Sequence, residues 1–272
     1  MPDALRLAIG TLTVVHVPAP RAVTSRVAGR AMLLAPLVGA ALGLVAAVVL
    51  DVVRITTGSH RPSTTVDLLA ATLALATLAW LTRALHLDGL ADVADGLGVK
   101  GDGDDARRRR LTVMREPDVG AFGVVTVVLT LLVQAAALTE CTVSGFGTVS
   151  LVVAATVGRL GIVWCCTPST PSARPDGLGA AVAGTVRTRA AIVATVLVLG
   201  AAAALGMVDD DRGPKVSALL AIAVLGGLVM TTLVRRRSIQ RFGGITGDVL
   251  GAVVELTTAT VLVVVALGAG LL

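Results

Sequence analysis

Apolar residues run along this chain in long unbroken stretches, separated by shorter segments that hold most of the charged side chains. Seven stretches reach the ~20 residues that an α-helix needs to cross the ~30 Å hydrocarbon core of a bilayer. These predicted spans cover residues 31–53, 66–85, 120–139, 146–166, 188–208, 216–234 and 248–272. The pattern predicts an all-α polytopic membrane helix bundle of about seven transmembrane helices, with residues 1–272 forming a single integral membrane domain.

Composition agrees with a membrane protein, because 55% of the 272 residues are hydrophobic, only 15% are charged and the mean hydropathy is +0.88. Ahead of the first span, residues 1–30 carry four arginines, and Pro18 and Pro20 interrupt them before any long apolar core forms. A cleavable signal peptide needs such a core. We therefore expect residues 1–30 to remain as an interfacial segment at the membrane surface.

Lysine and arginine are distributed unevenly among the polar segments. Alternate segments, beginning with the N-terminal one, hold 18 of these residues, whereas the intervening segments hold four. Positive residues collect on the cytoplasmic side of a membrane protein, so we expect a multi-pass protein of the cell membrane with a cytoplasmic N-terminus. Topology and contact with membrane lipid explain the net charge of +5, and binding of a polyanionic substrate is a second explanation. No nucleic-acid partner is expected.

Three aspartates, Asp88, Asp92 and Asp95, follow the second span with spacings of four and three residues. On a helix these spacings place the carboxylates within roughly a 60° arc of one face. Each would cost on the order of 3 kcal/mol at the centre of a bilayer, so a bound divalent metal is the simplest explanation. We expect residues 86–119 to form a cytoplasmic active-site loop rich in acidic and basic residues. His86 could act as a metal ligand, a proton carrier or a hydrogen-bonding partner.

A second polar cluster begins the last span and reads Gly243-Gly244-Ile245-Thr246-Gly247-Asp248, with Glu255 seven residues further on. Glycines permit close backbone approach, and a helix that starts near Thr246 would attract anions with its free amides. Gly243, Gly244 and Thr246 are therefore candidate substrate-binding residues. The alternative is a capped helix start, with Thr246 or Asp248 as the cap.

The two acidic clusters are expected on the same membrane face. Residues four apart on a helix are separated by about 6 Å along its axis, so one ion held by Asp88 and Asp92 fits better than one ion held by all three aspartates. Asp95, Asp248 or Glu255 would then serve a second ion or a proton. Mg²⁺ is the expected cofactor, because it prefers one or two carboxylates together with substrate phosphates. Two carboxylate-rich helices around a diphosphate would form a phosphoryl-transfer site.

Four segments of the chain resemble the adenosylcobinamide-GDP ribazoletransferases, also called cobalamin synthases, and the similarity covers nearly the whole chain. The matching segments are His86–Gly96, Met114–Gly123, Ala173–Gly179 and Gly243–Asp248, the last followed by Gly251 and Glu255. The resemblance implies a Mg²⁺-dependent transfer of α-ribazole, or its 5′-phosphate, to adenosylcobinamide-GDP with release of GMP.

The resemblance also implies roles for individual residues. Asp88, Asp92 and Asp95 would hold the metal on the diphosphate. Asp248 would complete the metal site or take the hydroxyl proton, with Glu255 in support and His86 as a further catalytic candidate. Arg115 and Arg174 would bind the phosphates or the departing GMP, because guanidinium groups grip phosphate oxygens through a fixed fork of donors.

Further partners suggested by the resemblance are a second copy of the chain or other corrinoid-assembly enzymes. Two other functions stay open on the sequence. An ion-coupled transporter would place its carboxylates near the middle of the membrane and show two related halves. A structural seven-helix anchor for other enzymes would leave the aspartates free to vary.

Overall fold

The computed structural model describes residues 1–57, 64–209 and 212–270. Within them the chain forms helices and no β-strand. Residues 58–63, between the first and second predicted spans, lie outside the described residues, and so do the last two residues of the seventh predicted span. The helices are α1 (Asp3–Leu12), α2 (Ser25–Leu33), α3 (Ala35–Thr56), α4 (Thr64–Leu81), α5 (Leu85–Gly98), α6 (Gly103–Val113), α7 (Ala121–Val143), α8 (Gly147–Cys165), α9 (Gly177–Val182), α10 (Thr188–Gly206), α11 (Gly213–Phe242) and α12 (Gly247–Ala269).

Seven helical segments of the described chain are long and apolar enough to cross a membrane, which confirms the predicted fold class. They are α2 with α3 as one segment of Ser25–Thr56, and then α4, α7, α8, α10, α11 and α12. The sixth is longer than predicted, because the arginine-rich residues 235–241 continue the helix beyond its apolar part. The cytoplasmic orientation of the N-terminus stays a prediction from the charge bias.

The second span ends earlier than predicted, at Leu81 instead of residue 85. Arg83 and Ala84 have φ values of +56° and +55°, in the left-handed region that ends an α-helix. The chain reverses there and enters α5. The expected loop over residues 86–119 was wrong in form, because α5 and α6 occupy most of it, although the helical face predicted for the aspartates is present.

Helix α8 lies at the centre of the bundle and packs against α3 and α12 through small residues. A Cβ atom at Gly39 of α3 would lie 2.4 Å from the carbonyl oxygen of Ala155 in α8. A Cβ atom at Gly158, further along α8, would lie 3.0 Å from the carbonyl oxygen of Val254 in α12. Small residues allow this approach of helix backbones, which is the usual basis of helix association in membranes.

Because the seven spans alternate in direction, the connections before α2, between α4 and α7, between α8 and α10, and between α11 and α12 lie at one end of the bundle. Hydrogen bonds tie two of them together at this end. The amide of Val14 donates to the carbonyl oxygen of Leu81 over 2.7 Å, and Arg83 donates to the carbonyl oxygen of Gly10 over 3.4 Å. All four segments of the sequence resemblance begin or lie at this end.

The central helix contact gives a stability prediction. Replacing Gly39 by alanine should push α3 away from α8 and lower the melting temperature in detergent, at a cost of about 1–3 kcal/mol for overpacking. Gly200→Ala in α10 is the matched control, because a Cβ atom there meets nothing within 4 Å. That variant should melt at or slightly above the parent temperature, since alanine favours a helix. Equal melting temperatures for the two variants would contradict the packing described for Gly39.

Candidate active site

At the polar end of the bundle, α5 and α12 approach each other closely. A Cβ atom at Gly89 would lie 2.6 Å from the carbonyl oxygen of Asp248, and one at Gly251 would lie 3.0 Å from the carbonyl oxygen of His86. Neither helix can carry a side chain at its crossing point without moving. The two predicted acidic clusters are therefore held together, with Asp88 and Asp92 on one helix beside Asp248 on the other.

Asp248 is positioned by the start of α12. Thr246 has an extended backbone and its hydroxyl oxygen accepts from the amide of Val249 over 3.2 Å, so this threonine caps the helix, as one interpretation of the sequence expected. The same hydroxyl donates to Oδ2 of Asp248 over 3.1 Å. Nη1 of Arg174 lies 3.7 Å from that carboxylate oxygen. The carboxylate thus has a fixed orientation and a cationic neighbour.

Arg174 reaches Asp248 because its loop is hydrogen bonded to the turn before α12. The amide of Ile245 donates to the carbonyl oxygen of Pro171, and the amide of Ala173 donates to the carbonyl oxygen of Ile245, both over 2.9 Å. Gly244 makes this pairing possible, since a Cβ atom there would lie 2.3 Å from the Pro171 carbonyl oxygen. Nη2 of Arg174 also donates to the carbonyl oxygen of Leu111 over 2.7 Å, which connects the loop to α6.

The arginine run of α6 holds the end of α11. Nε of Arg107 donates to the carbonyl oxygen of Phe242 over 2.7 Å, and the buried Arg110 points to the carbonyl of Arg241. Cations at a helix C-terminus are stabilising because they meet its free carbonyls and its dipole. Gly243 follows with φ +83° and packs against the Arg107 guanidinium. Gly243 and Gly244 therefore build the turn, and neither lines the cavity between α5 and α12.

A cavity of about 380 Å³ opens between the starts of α5 and α12, and α1 and α2 cover it. Its polar lining comes from five segments of the chain, namely Thr11, His86 with Asp88, Arg115, Arg174 with Asp176, and Thr246 with Asp248. Leu12, Met32, Leu85, Ile162, Leu178 and Leu250 form an apolar wall. Arg115 and Asp176 form an ion pair of 2.5 Å at its rim. Sequence reasoning missed Asp176, which carries no motif signal beyond its place in the third resembling segment.

The other two aspartates of α5 differ in their surroundings. Asp92 is half-buried, and burial, followed by the charges of Asp248, Asp88 and Asp95, raises its pKa to about 7. Asp95 accepts hydrogen bonds from the amides of Gly120 over 2.8 Å and Gly123 over 2.9 Å, so it caps the start of α7. Among the described residues, no three acidic, histidine or cysteine side chains stand close enough together to hold a metal by themselves.

His86 and Glu255 belong to a buried polar network around Arg159, and of the two only His86 also lines the cavity. Nδ1 of His86 lies 3.5 Å from Nη2 of Arg159, and because a guanidinium only donates, this nitrogen is the acceptor. Burial and the Arg159 charge hold the pKa of His86 well below its usual value. Nε2 of Gln134 donates to the Glu255 carboxylate over 2.9 Å, and Glu255 shares a separate small cavity with Arg159. The structure does not bring Glu255 to the cavity that Asp248 lines.

This fold and cavity define a class, a polytopic membrane protein with a carboxylate- and arginine-lined site at one end of its helix bundle. Residues 4–266 match the family model described as cobalamin-5-phosphate synthase, and the chain belongs to that family. This confirms the resemblance found in the sequence and makes the protein a member of a transferase family.

Curated relatives agree over almost their full length. An adenosylcobinamide-GDP ribazoletransferase of Frankia casuarinae is 46% identical over 96% of this chain and 94% of its own. The enzyme of the same name from a Nocardioides species is 41% identical over 96% of this chain and 97% of its own. The Bradyrhizobium diazoefficiens enzyme is 34% identical over 96% and 92%, respectively. No solved structure shows significant similarity to the chain.

The crossing of α5 and α12 gives a prediction about activity. Gly89→Ala should displace α12, separate Asp248 from Asp88 and lower transferase activity by at least about tenfold, even where the protein is still inserted and folded. Gly98→Ala on the same helix is the control, because its Cβ atom would meet only the exposed Phe122 ring, at 3.3 Å. Activity of purified protein, normalised to the amount that elutes as a folded species, is the measurement. Full activity of Gly89→Ala would refute the importance of this contact.

Proposed function

We propose that this protein is a Mg²⁺-dependent adenosylcobinamide-GDP ribazoletransferase. A free ribose hydroxyl of α-ribazole, or of its 5′-phosphate, attacks the cobinamide-side phosphorus of adenosylcobinamide-GDP. The new P–O bond joins the two halves, and the bond to the bridging diphosphate oxygen breaks, so that GMP leaves. The observation that carries this proposal is the meeting of carboxylates from α5 and α12 with Arg115 and Arg174 in one cavity.

The carboxylates fit a magnesium ion that arrives with the diphosphate. Mg²⁺ takes few protein carboxylates and prefers to keep waters and substrate phosphates, so a site without three adjacent acidic side chains suits it. Asp88 and Asp248 line the cavity, and Asp92 sits among like charges that a cation would relieve. These three would hold the ion, which when bound neutralises charge that develops on the phosphoryl oxygens. Asp95 instead positions α7 in this proposal.

The remaining polar groups of the cavity suit binding and proton transfer. Arg115 and Arg174 present guanidinium groups to the phosphates, and pairing with phosphate oxygens is the strongest kind of hydrogen bond available to them. Asp248, held by Thr246, is the side chain that accepts the proton of the attacking hydroxyl. Glu255 acts behind this site, through the buried network around Arg159, and His86 joins that network to the wall of the cavity.

The size and lining of the cavity support α-ribazole as its occupant. A volume of about 380 Å³ lies near the lower end of the ~300–1,000 Å³ found for small-ligand pockets. It suits one nucleoside and is too small for the corrinoid donor. The wall formed by side chains such as Leu12, Met32 and Ile162 offers an apolar surface to a flat base, and the carboxylates of Asp88 and Asp248 line the same cavity.

A transporter is not favoured, because the acidic side chains of the cavity lie at the end of the bundle, at the start of α5 and α12. A transport site would be expected near the middle of the spans. An anchor without chemistry is not supported either, because the chain belongs to a family whose curated relatives bear the name of an enzyme. The cytoplasmic position of the site follows from the charge bias and is part of the proposal.

Removal of single carboxylate charges tests the catalytic assignment. Asp88→Asn and Asp248→Asn should each lower GMP release by at least about 100-fold, because an amide neither holds the cation nor accepts the proton. Asp51→Asn is the control, since Asp51 lies toward the other end of α3 and accepts a hydrogen bond from Thr148, which an amide oxygen can replace. GMP release from membranes supplied with both substrates is the measurement. Undiminished release by Asp248→Asn would remove this residue from the proposal.

Metal removal provides a second test. Treatment with EDTA should abolish GMP release by the parent, and Mg²⁺ should restore it. Ca²⁺ should restore little, because it binds oxygen ligands at longer distances and in a less regular geometry than Mg²⁺. Asp92→Asn should raise the Mg²⁺ concentration needed for half-maximal rate, while the Asp51→Asn control should not. Full activity in EDTA would refute the role of magnesium and leave the substrates of the reaction unaffected.

A further inference from the structure

A second cleft adjoins the cavity and has a different chemistry. It is open to solvent, has a volume of about 480 Å³ and lies between α6 and the loop before α9. Its lining residues are Arg108, Leu111, Thr112, Arg115, Ala173, Arg174, Pro175 and Asp176. Arg115, Arg174 and Asp176 line both spaces, so the inner cavity and the outer cleft meet across these three side chains.

The charges differ across this border. The inner cavity adds two carboxylates, Asp88 and Asp248, the second of them 3.7 Å from Arg174, whereas the outer cleft adds a third arginine, Arg108, and no further carboxylate. A diphosphate that lay at the border would have its acceptor side next to the carboxylates and its other side next to arginines. The arginine-rich side therefore suits the more anionic half of a substrate, which keeps its phosphate after the transfer.

The arginine run of α6 is divided between two tasks by helical geometry. Arg107 and Arg110 face α11 and bind the carbonyls at its end. Arg108 lines the cleft with Leu111 and Thr112, at spacings of three and four residues that share one side of a helix, and Arg115 lines it just beyond the end of α6. This side forms the wall of the cleft, so Arg108 is presented to it by the anchoring of its neighbours.

Arg108 is available for a ligand. Its present partner is Asp105, one turn earlier on α6, and both side chains are largely exposed, at 71% and 80%. Exposed pairs of this kind contribute little, so exchanging the carboxylate for a phosphate is not costly. Leu111, Ala173 and Pro175 add an apolar floor against which a nucleoside can lie.

We infer that the outer cleft binds the guanine-nucleotide half of the donor substrate and retains GMP after the transfer, with Arg108 as a phosphate-contacting residue. This inference rests on the proposed function, because it takes the diphosphate to lie at the border with the inner cavity. It assigns the two halves of the reaction to two spaces. The acceptor nucleoside occupies the inner one, and the leaving nucleotide occupies the outer one.

The experiment compares Arg108→Ala with Arg109→Ala in purified protein reconstituted in lipid nanodiscs. Arg109 is the neighbouring exposed arginine and does not line the cleft, so its loss is a matched control for charge. Arg108→Ala should raise KM for adenosylcobinamide-GDP and weaken inhibition by GMP, each about tenfold, as expected for one charge-assisted hydrogen bond. KM for α-ribazole should stay unchanged, and Arg108→Lys should restore part of the GMP affinity.

Equilibrium binding of GMP to the same samples, measured by calorimetry without the other substrates, separates this inference from the proposed function. An active parent with equal GMP affinity in Arg108→Ala and Arg109→Ala would overturn the nucleotide cleft and leave the transferase assignment in place. A rise in the KM of α-ribazole alone would also overturn it. If the parent released no GMP, the proposed function would fail, and GMP binding that is lost in Arg108→Ala but kept in Arg109→Ala would still support the cleft.

Discussion

The contact between the backbones of α5 and α12 is the constraint on which the site depends. Gly89 and Gly251 carry no side chain at the crossing, so the helices approach until the backbone of one touches the other. This brings carboxylates from two distant parts of the chain into one small volume. Burial, together with the repulsion between these carboxylates, raises the pKa of Asp92. Such an arrangement is costly without a cation, which is the physical reason for proposing a metal-dependent reaction.

Arginines at the same end of the bundle bind free backbone carbonyls and face the carboxylates. The C-terminus of α11 leaves free carbonyls beside the turn that carries Asp248, and Arg107 satisfies one of them. Arg174 connects α6 to Asp248 by donating to the Leu111 carbonyl while it faces the carboxylate. Positive charge therefore has two roles in this protein. Some of it holds the turns together, and some remains for anionic substrates.

Behind the cavity, the buried network around Arg159 connects three spans. Arg159 of α8 lies beside His86, and it shares a cavity with Glu255 of α12 and Gln134 of α7. A guanidinium in the interior of a membrane protein needs such partners, since an isolated charge there is costly. The network fixes the rotation of the helices that carry the site. Glu255 is a member of this network, a position that its spacing from Asp248 did not indicate.

The sequence by itself determined the seven spans and the two acidic clusters, because hydropathy over about 20 residues and helical spacing are local properties. It also indicated Thr246 as a helix cap and the family to which the chain belongs. Tertiary structure decided which side chains share a cavity. Glu255 lies about 10.5 Å along the axis from Asp248. The two side chains share a helix face but line different cavities. Asp95 meets the amides that start α7, and Gly243 and Gly244 meet Arg107 and the Pro171 loop, partners that come from remote parts of the chain. Such pairings depend on how the helices pack, and no local pattern in the sequence records them.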